Sequence, residues 1–426
     1  MASLSSSRSD RRELKIDWLI VGLYLLFVFF GWVNIYAAST TSLGGVPMWD
    51  MGYSFGKQFF WIWVSLGVSA TILMLDTKLI EFSSYLAYGL TILLLLAVLA
   101  FGREVNGNQA WIDLGFFRLQ PSEFAKVGVA LALARYMTHY GYSLQKRQHF
   151  VVTLVIIALP MGLTLLQGDT GTALVFPSLI FMLYREGLSA WYLILGFLAL
   201  TFAVLALLYN QWILIGVIAG LSLLSWWLLF GRKQLALHIL LGTAFSVLVL
   251  SVDLIYDHVM QPHQQHRIKA LFDPSTDPLG TGWNITQSKI AIGSGGMWGK
   301  GFLEGTQTKF DFVPMQDTDF IFCTIGEEYG WFGTTAVIVL FVIFLAQLSY
   351  IAESSRSKFA RVYTYSVVSY FFMHLAINIG MTIGLTPVIG IPLPFFSYGG
   401  SSLLAFSSMV AISLNFYANR SRYLAS

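Results

Sequence analysis

Residues 257–319 read DHVMQPHQQHRIKALFDPSTDPLGTGWNITQSKIAIGSGGMWGKGFLEGTQTKFDFVPMQDTD, the one long polar interval in an otherwise oily chain. Roughly sixty residues pass here without an apolar run of membrane length. A connection that long is usually either functional or disordered. Ile268, Leu271, Phe272, Trp283, Ile285, Ile290, Trp298, Phe302, Phe310 and Phe312 recur along it. A disordered tail lacks such side chains, so the interval is predicted to be ordered and docked.

On both sides of it the composition changes. Of the 426 residues, 56% are hydrophobic and 11% charged, where a soluble domain has about a quarter charged. This balance predicts an all-α polytopic membrane protein, because a helix satisfies its own backbone hydrogen bonds inside lipid. The net charge of +3 is small, and its placement matters more than its size; no nucleic-acid partner is expected. The single cysteine, Cys323, excludes an internal disulfide and a cysteine-based metal cluster. It reads as a small buried apolar residue. The first apolar run has no small-residue cleavage site after it and reads as a retained span.

About twelve segments of about 17 to 25 residues are long enough to cross the hydrocarbon as helices. They start near Asp17, Gln58, Ser83, Ser122, Phe150, Gly171, Ala190, Trp212, Leu237, Phe320, Ala360 and Ser401. The basic residues of the short connections fall mostly on one side: Arg8, Arg11, Arg12 and Lys15, then Lys78, then Lys146 and Arg147, then Arg185, then Arg232 and Lys233, then Arg356, Lys358 and Arg361, then Arg420 and Arg422. The other side holds only Lys57, Arg103 and Arg118 in its short gaps. Positive charge stays on the cytoplasmic side, so both termini are predicted cytoplasmic and the long interval extracytoplasmic. The expected organisation is a tail (1–16), an N-terminal transmembrane bundle (17–256), an extracytoplasmic loop (257–319), C-terminal transmembrane helices (320–418) and a second tail (419–426).

Several constellations can carry chemistry. In GREVNGNQAWIDLGFFRLQPSEFAKVG (102–128), Pro121 suits a first helical turn and Ser122 can satisfy free N–H groups there. Glu123 and Lys126, three apart, share a helix face inside a span. They form either a salt bridge that lets both enter the membrane or the wall of a substrate path. Asp169, in LLQGDTGTALV, either caps the next helix or faces a headgroup or metal. His374 and Asn378, four apart, read as helix-packing hydrogen bonders rather than ligands. Asp273 and Asp277 each precede a proline and so sit on extended or turn backbone. Arg267, Lys269, Lys289 and Lys300 bring cations to the same interval, which suits a carboxylate working on a phosphate-bearing substrate. The prolines and glycines of PVIGIPLPFFSYGGSS (387–402) force irregular backbone, tolerated at membrane depth only where protein buries it or a cavity borders it.

NGNQAWIDLGFFRLQPSEFAKV (106–127), GDTGTALV (168–175), FDPSTDPLGTGWNITQSKIAIGSGGMWGKG (272–301), FVPMQDTDFIFCTIGEEYGWFG (312–333) and IPLPFFSYGGSS (391–402) together cover most of the chain. In that order they resemble the SEDS family of shape, elongation, division and sporulation proteins. Within it the chain is similar to the elongation branch more than the division branch, mainly through QSKIAIGSGGMWGKGFLEGTQ (287–307). The resemblance implies a peptidoglycan glycosyltransferase of the bacterial inner membrane. It would polymerise lipid II through β-1,4 bonds, release undecaprenyl diphosphate, and work with a class B penicillin-binding protein, a transpeptidase. Family members have about ten spans, so about twelve would mean a surplus pair, placed between Tyr192 and Asp253.

By motif match, Asp277 is implied as the catalytic carboxylate, Trp111 as important for activity, and Glu123 and Lys126 as the family's intramembrane ion pair. Asp169, Ser397, Gly399 and Gly400 fall on further family motifs and are carried as substrate-binding. Arg267, Lys269, Lys289 or a divalent cation, Mg or Mn, could balance the leaving diphosphate; no organic cofactor is implied. Three other readings remain open from the sequence: a division-type polymerase of the same family, a lipid II flippase without bond-forming chemistry, or a solute transporter with a polar site at the bilayer midplane.

Overall fold

The computed structural model describes residues 16–39, 47–105, 108–113, 115, 117–230, 235–258, 260–277 and 280–420. Arg8, Arg11, Arg12 and Lys15 of the N-terminal tail, Arg232, Lys233 and Arg422 lie outside the described residues, as do Pro278 and Leu279 of the Asp-Pro-Leu-Gly motif.

Helices dominate: α1 (Trp18–Ser39), α2 (Ser54–Met74), α3 (Thr77–Phe101), α4 (Pro121–Met137), α5 (Arg147–Leu166), α6 (Thr170–Ala173), α7 (Leu179–Arg185), α8 (Ala190–Leu208), α9 (Gln211–Ser225), α10 (Leu235–His258), α11 (Pro262–Phe272), α12 (Thr281–Ser294), α13 (Thr306–Lys309), α14 (Ile321–Ser354), α15 (Lys358–Thr382) and α16 (Gly400–Ala418). Their starts follow local rules. Asp76 caps α3 by accepting from Lys78 N–H, and Pro121 occupies the first turn of α4, where no N–H is missed. At the start of α11 the Gln264 side chain reaches back to accept from Gln261 N–H at 3.1 Å, with Pro262 in the first turn.

Ten described helices are long and apolar enough to cross a membrane: α1 to α3, α5, α8, α9 continued to Leu228, α10, and α14 to α16. The sequence count of about twelve is therefore not reached. The segment near Ser122 forms α4, only 17 residues long and carrying Glu123, Lys126 and Arg135. The segment near Gly171 breaks into α6, a tight turn at Phe176–Ser178 and α7. Pro177 lacks an N–H and disfavours a helical residue before it, which is reason enough for the break.

Two compact units emerge, Met1–Met182 with Trp283–Ser426, and Leu183–Gly282. In the first, α4 is sheathed by α3, α5, α15 and α16, and 13 of its 17 residues are buried. Gly128 lets α3 and α4 approach closely, since a Cβ there would stand 2.6 Å from Thr91 Oγ1. Aromatic rings fill the space among α1, α14, α15 and α16: Phe27 stacks on Phe341 at 4.4 Å, and Phe371 stacks on Phe395 at 5.4 Å. A small antiparallel sheet joins α3 to α4, made of β1 (Arg103–Val105), β2 (Asn108–Asp113) and β3 (Arg118–Leu119).

In the second unit, α8, α9 and α10 pack around Phe202, Ala206, Leu214, Ile218 and Val249. The long polar interval begins as the end of α10, continues through α11 and a tight turn at Pro274–Thr276, and enters α12. Its residues up to Gly282 belong to the second unit and those from Trp283 to the first.

Candidate active site

Within the first unit a buried polar cluster surrounds the start of α4. Lys126 Nζ donates to Glu123 Oε2 at 2.9 Å, and both side chains are buried to within 1%. The same ammonium meets His374 Nε2 of α15 at 2.8 Å and lies over the ring of Phe406, 4.8 Å from its centre. The salt bridge expected from the i,i+3 spacing is present, and His374 adds to it. Asp169 accepts from Thr172 N–H at 3.0 Å, Ser122 Oγ at 3.0 Å and Gln120 Nε2 at 2.9 Å. The capping reading of Asp169 is thus met, and its second oxygen also ties the α5–α6 corner to α4.

The irregular segment before α16 is pinned from several directions. Ser397 Oγ donates to Thr318 O at 2.6 Å and accepts from Leu393 N–H at 2.8 Å. Gly399 N–H donates to Gln58 Oε1 at 3.2 Å. A Cβ on Gly400 would lie 2.3 Å from the Trp61 indole, so the close approach of α2 requires glycine. Asn378 Nδ2 donates to Ile391 O at 2.7 Å and Asp319 O at 2.9 Å. Phe395 takes a left-handed φ of 66° although it is buried and aromatic, a conformation that persists only where the surroundings over-determine it. Burial pushes the Tyr398 phenol up; Asp317 adds to this and Arg118 opposes it. Ser397, Gly399 and Gly400 therefore act here as anchors of the backbone.

Trp111 is half-buried on β2, opposite Arg103 in the register of the small sheet. Ser288 of α12 donates to Thr382 O at 2.8 Å, at the end of α15. Lys289 lies beside Gly384 just beyond, where its Nζ would stand 2.4 Å from a Cβ. This places the Lys289 cation near the negative end of the α15 dipole.

One further cluster forms on a pair of acids to which the sequence assigns no role. Glu327 is fully buried in α14 and accepts from Lys300 Nζ at 2.7 Å, Gln307 N–H at 2.8 Å, and Thr308 N–H and Oγ1 at 2.9 Å each. Lys300, read from sequence as a cation of the polar interval, is committed to this contact. The loop before α13 also pairs its backbone with α14: Lys300 N–H donates to Glu327 O and Gly301 N–H to Glu328 O, both at 3.0 Å. Gly330 breaks α14 here, with φ 66° and ψ −159°. The signal available in the sequence was a pair of acids two turns inside an apolar span.

Asp277 belongs to the second unit, after the turn that ends α11. Its backbone, φ −136° and ψ 69°, is non-helical as its position before a proline requires. The side chain is half-buried, and among the described residues its carboxylate accepts one hydrogen bond, from Thr281 N–H at 2.6 Å. This caps the first turn of α12. Asp273 accepts from Ser275 N–H at 3.0 Å. Lys269 of α11 directs its ammonium to the ring of Tyr256, 5.7 Å from the centre; Arg267 lies half-buried two residues before it. Among the described residues no group of three or more His, Cys, Asp or Glu side chains is placed to hold a metal ion. The described side chains do not by themselves form a divalent-cation site.

The family model for the FtsW, RodA and SpoVE cell cycle proteins matches residues 17–219 and 212–422. The chain belongs to this family. A peptidoglycan glycosyltransferase MrdB of Escherichia coli K12 is 35% identical over 334 residues, covering 78% of this chain and 77% of the relative. A peptidoglycan glycosyltransferase RodA of Treponema pallidum is 33% identical over 428 residues, covering 93% and 96%. Among solved structures, a chain described under the structural coordination of polymerization and crosslinking by a peptidoglycan synthase complex superposes with a TM-score of 0.68 at 25% identity, covering 96% of this chain and 99% of that one. With both chains covered almost completely, the surplus pair expected between Tyr192 and Asp253 finds no support.

Proposed function

We propose that this chain is a peptidoglycan glycosyltransferase that joins lipid II into glycan strands for elongation, with Asp277 as the base. The supporting observation is the Asp277 carboxylate itself. It sits on a turn between α11 and α12, outside the membrane-length helices, half-exposed, with one oxygen held by Thr281 N–H. A base must be oriented by its surroundings yet reachable by its substrate.

In the proposed step the 4-hydroxyl of one lipid-linked disaccharide attacks the anomeric carbon of another. The new C–O bond forms as the bond to diphosphate breaks, the electron pair leaves with the diphosphate oxygen, and the hydroxyl proton passes to Asp277. An α-linked donor giving a β link inverts in a single displacement, without a covalent sugar. Arg267 and Lys269 of α11 and Lys289 of α12 are the cations proposed to meet the developing diphosphate charge. Trp111, Asp169, Ser397, Gly399 and Gly400 of the first unit are proposed to contribute to lipid II binding, and the Glu123–Lys126 pair to hold α4 in place. Both termini are proposed to be cytoplasmic and Asp277 extracytoplasmic, a reading supported by the excess of basic residues in the connections of one side. A class B penicillin-binding protein is the proposed partner, supported by the synthase complex that the fold resembles.

The test uses the purified full-length chain with lipid II already presented on the accessible side, with and without chelator, restoring Mg²⁺ or Mn²⁺ in turn. The parent forms strands and Asp277→Asn does not. Strands from Asp277→Asn would overturn the base assignment; a parent that forms none, alone or with its transpeptidase, would overturn the polymerase reading in favour of transport.

A further inference from the structure

We propose that His374 is a positioning residue that couples the buried Glu123–Lys126 pair to the irregular outer segment before α16. The inference rests on the polymerase reading of the same site. His374 is fully buried in α15, and each ring nitrogen has a partner of fixed polarity. Nδ1 faces Pro392 O at 3.1 Å, and a carbonyl can only accept. Nε2 faces the Lys126 ammonium at 2.8 Å, and an ammonium can only donate. The ring proton therefore resides on Nδ1, and Nε2 offers its lone pair to Lys126. A second proton on the imidazole would place two cations in contact.

The residue thus joins two things that neither Glu123 nor Lys126 joins alone. Lys126 has no exposed surface and does not touch a substrate in this arrangement. What it can transmit is position. Through His374 its ammonium is tied to Pro392, five residues before Ser397. A second route runs in parallel: Phe406 lies under the Lys126 ammonium, meets His374 edge-on at 4.9 Å and approaches the strained Phe395 at 6.0 Å. One turn along α15, Asn378 grips Ile391 O of the same segment. The face of α15 bearing His374 and Asn378 holds residues 391–392, while His374 alone also reads the ion pair. A displacement of the outer segment would therefore be felt at Lys126, and the reverse.

Three substitutions separate the two ends of this link. Gln at 374 can offer an amide oxygen to Lys126; Asn is too short for Lys126 but can still donate toward Pro392 O; Leu does neither. With purified full-length protein and lipid II, His374→Asn and His374→Leu should lose about tenfold or more in kcat with KM within about twofold, and His374→Gln should recover at least about a third of the parent kcat. In a Lys126→Met background, His374→Leu should cost no further activity, because its effect passes through Lys126. Parent-like kcat in Asn and Leu, or an undiminished loss from His374→Leu without Lys126, would overturn the proposal. If the parent forms no strands, the polymerase reading fails, and the same double-mutant cycle read by thermal unfolding decides this one: non-additive losses support the link and additive losses overturn it. His374→Gln carries the decision should Leu fail to fold.

Discussion

The two acids on which a mechanism could be built live under opposite conditions. Glu123 is sealed inside the first unit, matched by an ammonium 2.9 Å away that is itself held by a histidine. Asp277, in the second unit, is half-exposed on a turn with a single backbone N–H on its carboxylate among the described residues. A buried charge must be satisfied at once or it costs several kcal/mol. An acid that is to take a proton from a visiting hydroxyl must keep part of its capacity unspent. The contrast separates a group that holds helices together from one left with capacity to react.

The sharpest way to break the contrast is at Asp277. Asp277→Asn should lower strand formation by about 10³-fold, equivalent to about 4 kcal/mol of barrier, while the melting temperature in detergent stays near the parent. Next comes the pair. Lys126→Met strands a buried carboxylate and should cost about 3–5 kcal/mol, seen as a lowered melting temperature, and Glu123→Gln with Lys126→Met should recover much of it. An additive double variant would mean that the pair is not coupled. Gly330→Ala tests the break in α14: a Cβ there would lie 2.3 Å from Gly299 N at a φ of 66°. The strain should cost about 1–3 kcal/mol, with loosened proteolytic protection of residues 295–305 as the local readout. Smallest is Lys269→Met over the Tyr256 ring, worth no more than about 1 kcal/mol of stability. If the same variant raises the lipid II KM, the cation serves substrate rather than the ring.

Much of this arrangement was legible in advance because it depends on neighbours along the chain. Pro121, Ser122 and the 123–126 spacing fix a helix start and a shared face, and the salt bridge follows. Asp273 and Asp277 had to leave helical backbone because prolines follow them. The count of about twelve spans failed at Gly171 for a different reason. Hydropathy cannot distinguish one apolar helix from an apolar stretch broken at Pro177 and packed under Ile389, whose carbonyl would lie 2.6 Å from a Cβ on Gly171. The small sheet around Trp111 was also unreadable, since three strands of at most six residues leave almost no periodic signal.

Composition and the order of the motifs were enough to determine a helical membrane protein of this family, and the resemblance nominated Asp277 as its candidate base. These are properties of single segments, each set by its own apolar length or its own backbone rules. Tertiary structure alone decided that Lys300 belongs to Glu327, that Asp169 answers to Gln120 and Ser122, and that Lys126 answers to His374, 248 residues away. Partners so distant in sequence are selected by which helix faces meet when the bundle packs, and no local pattern encodes that choice.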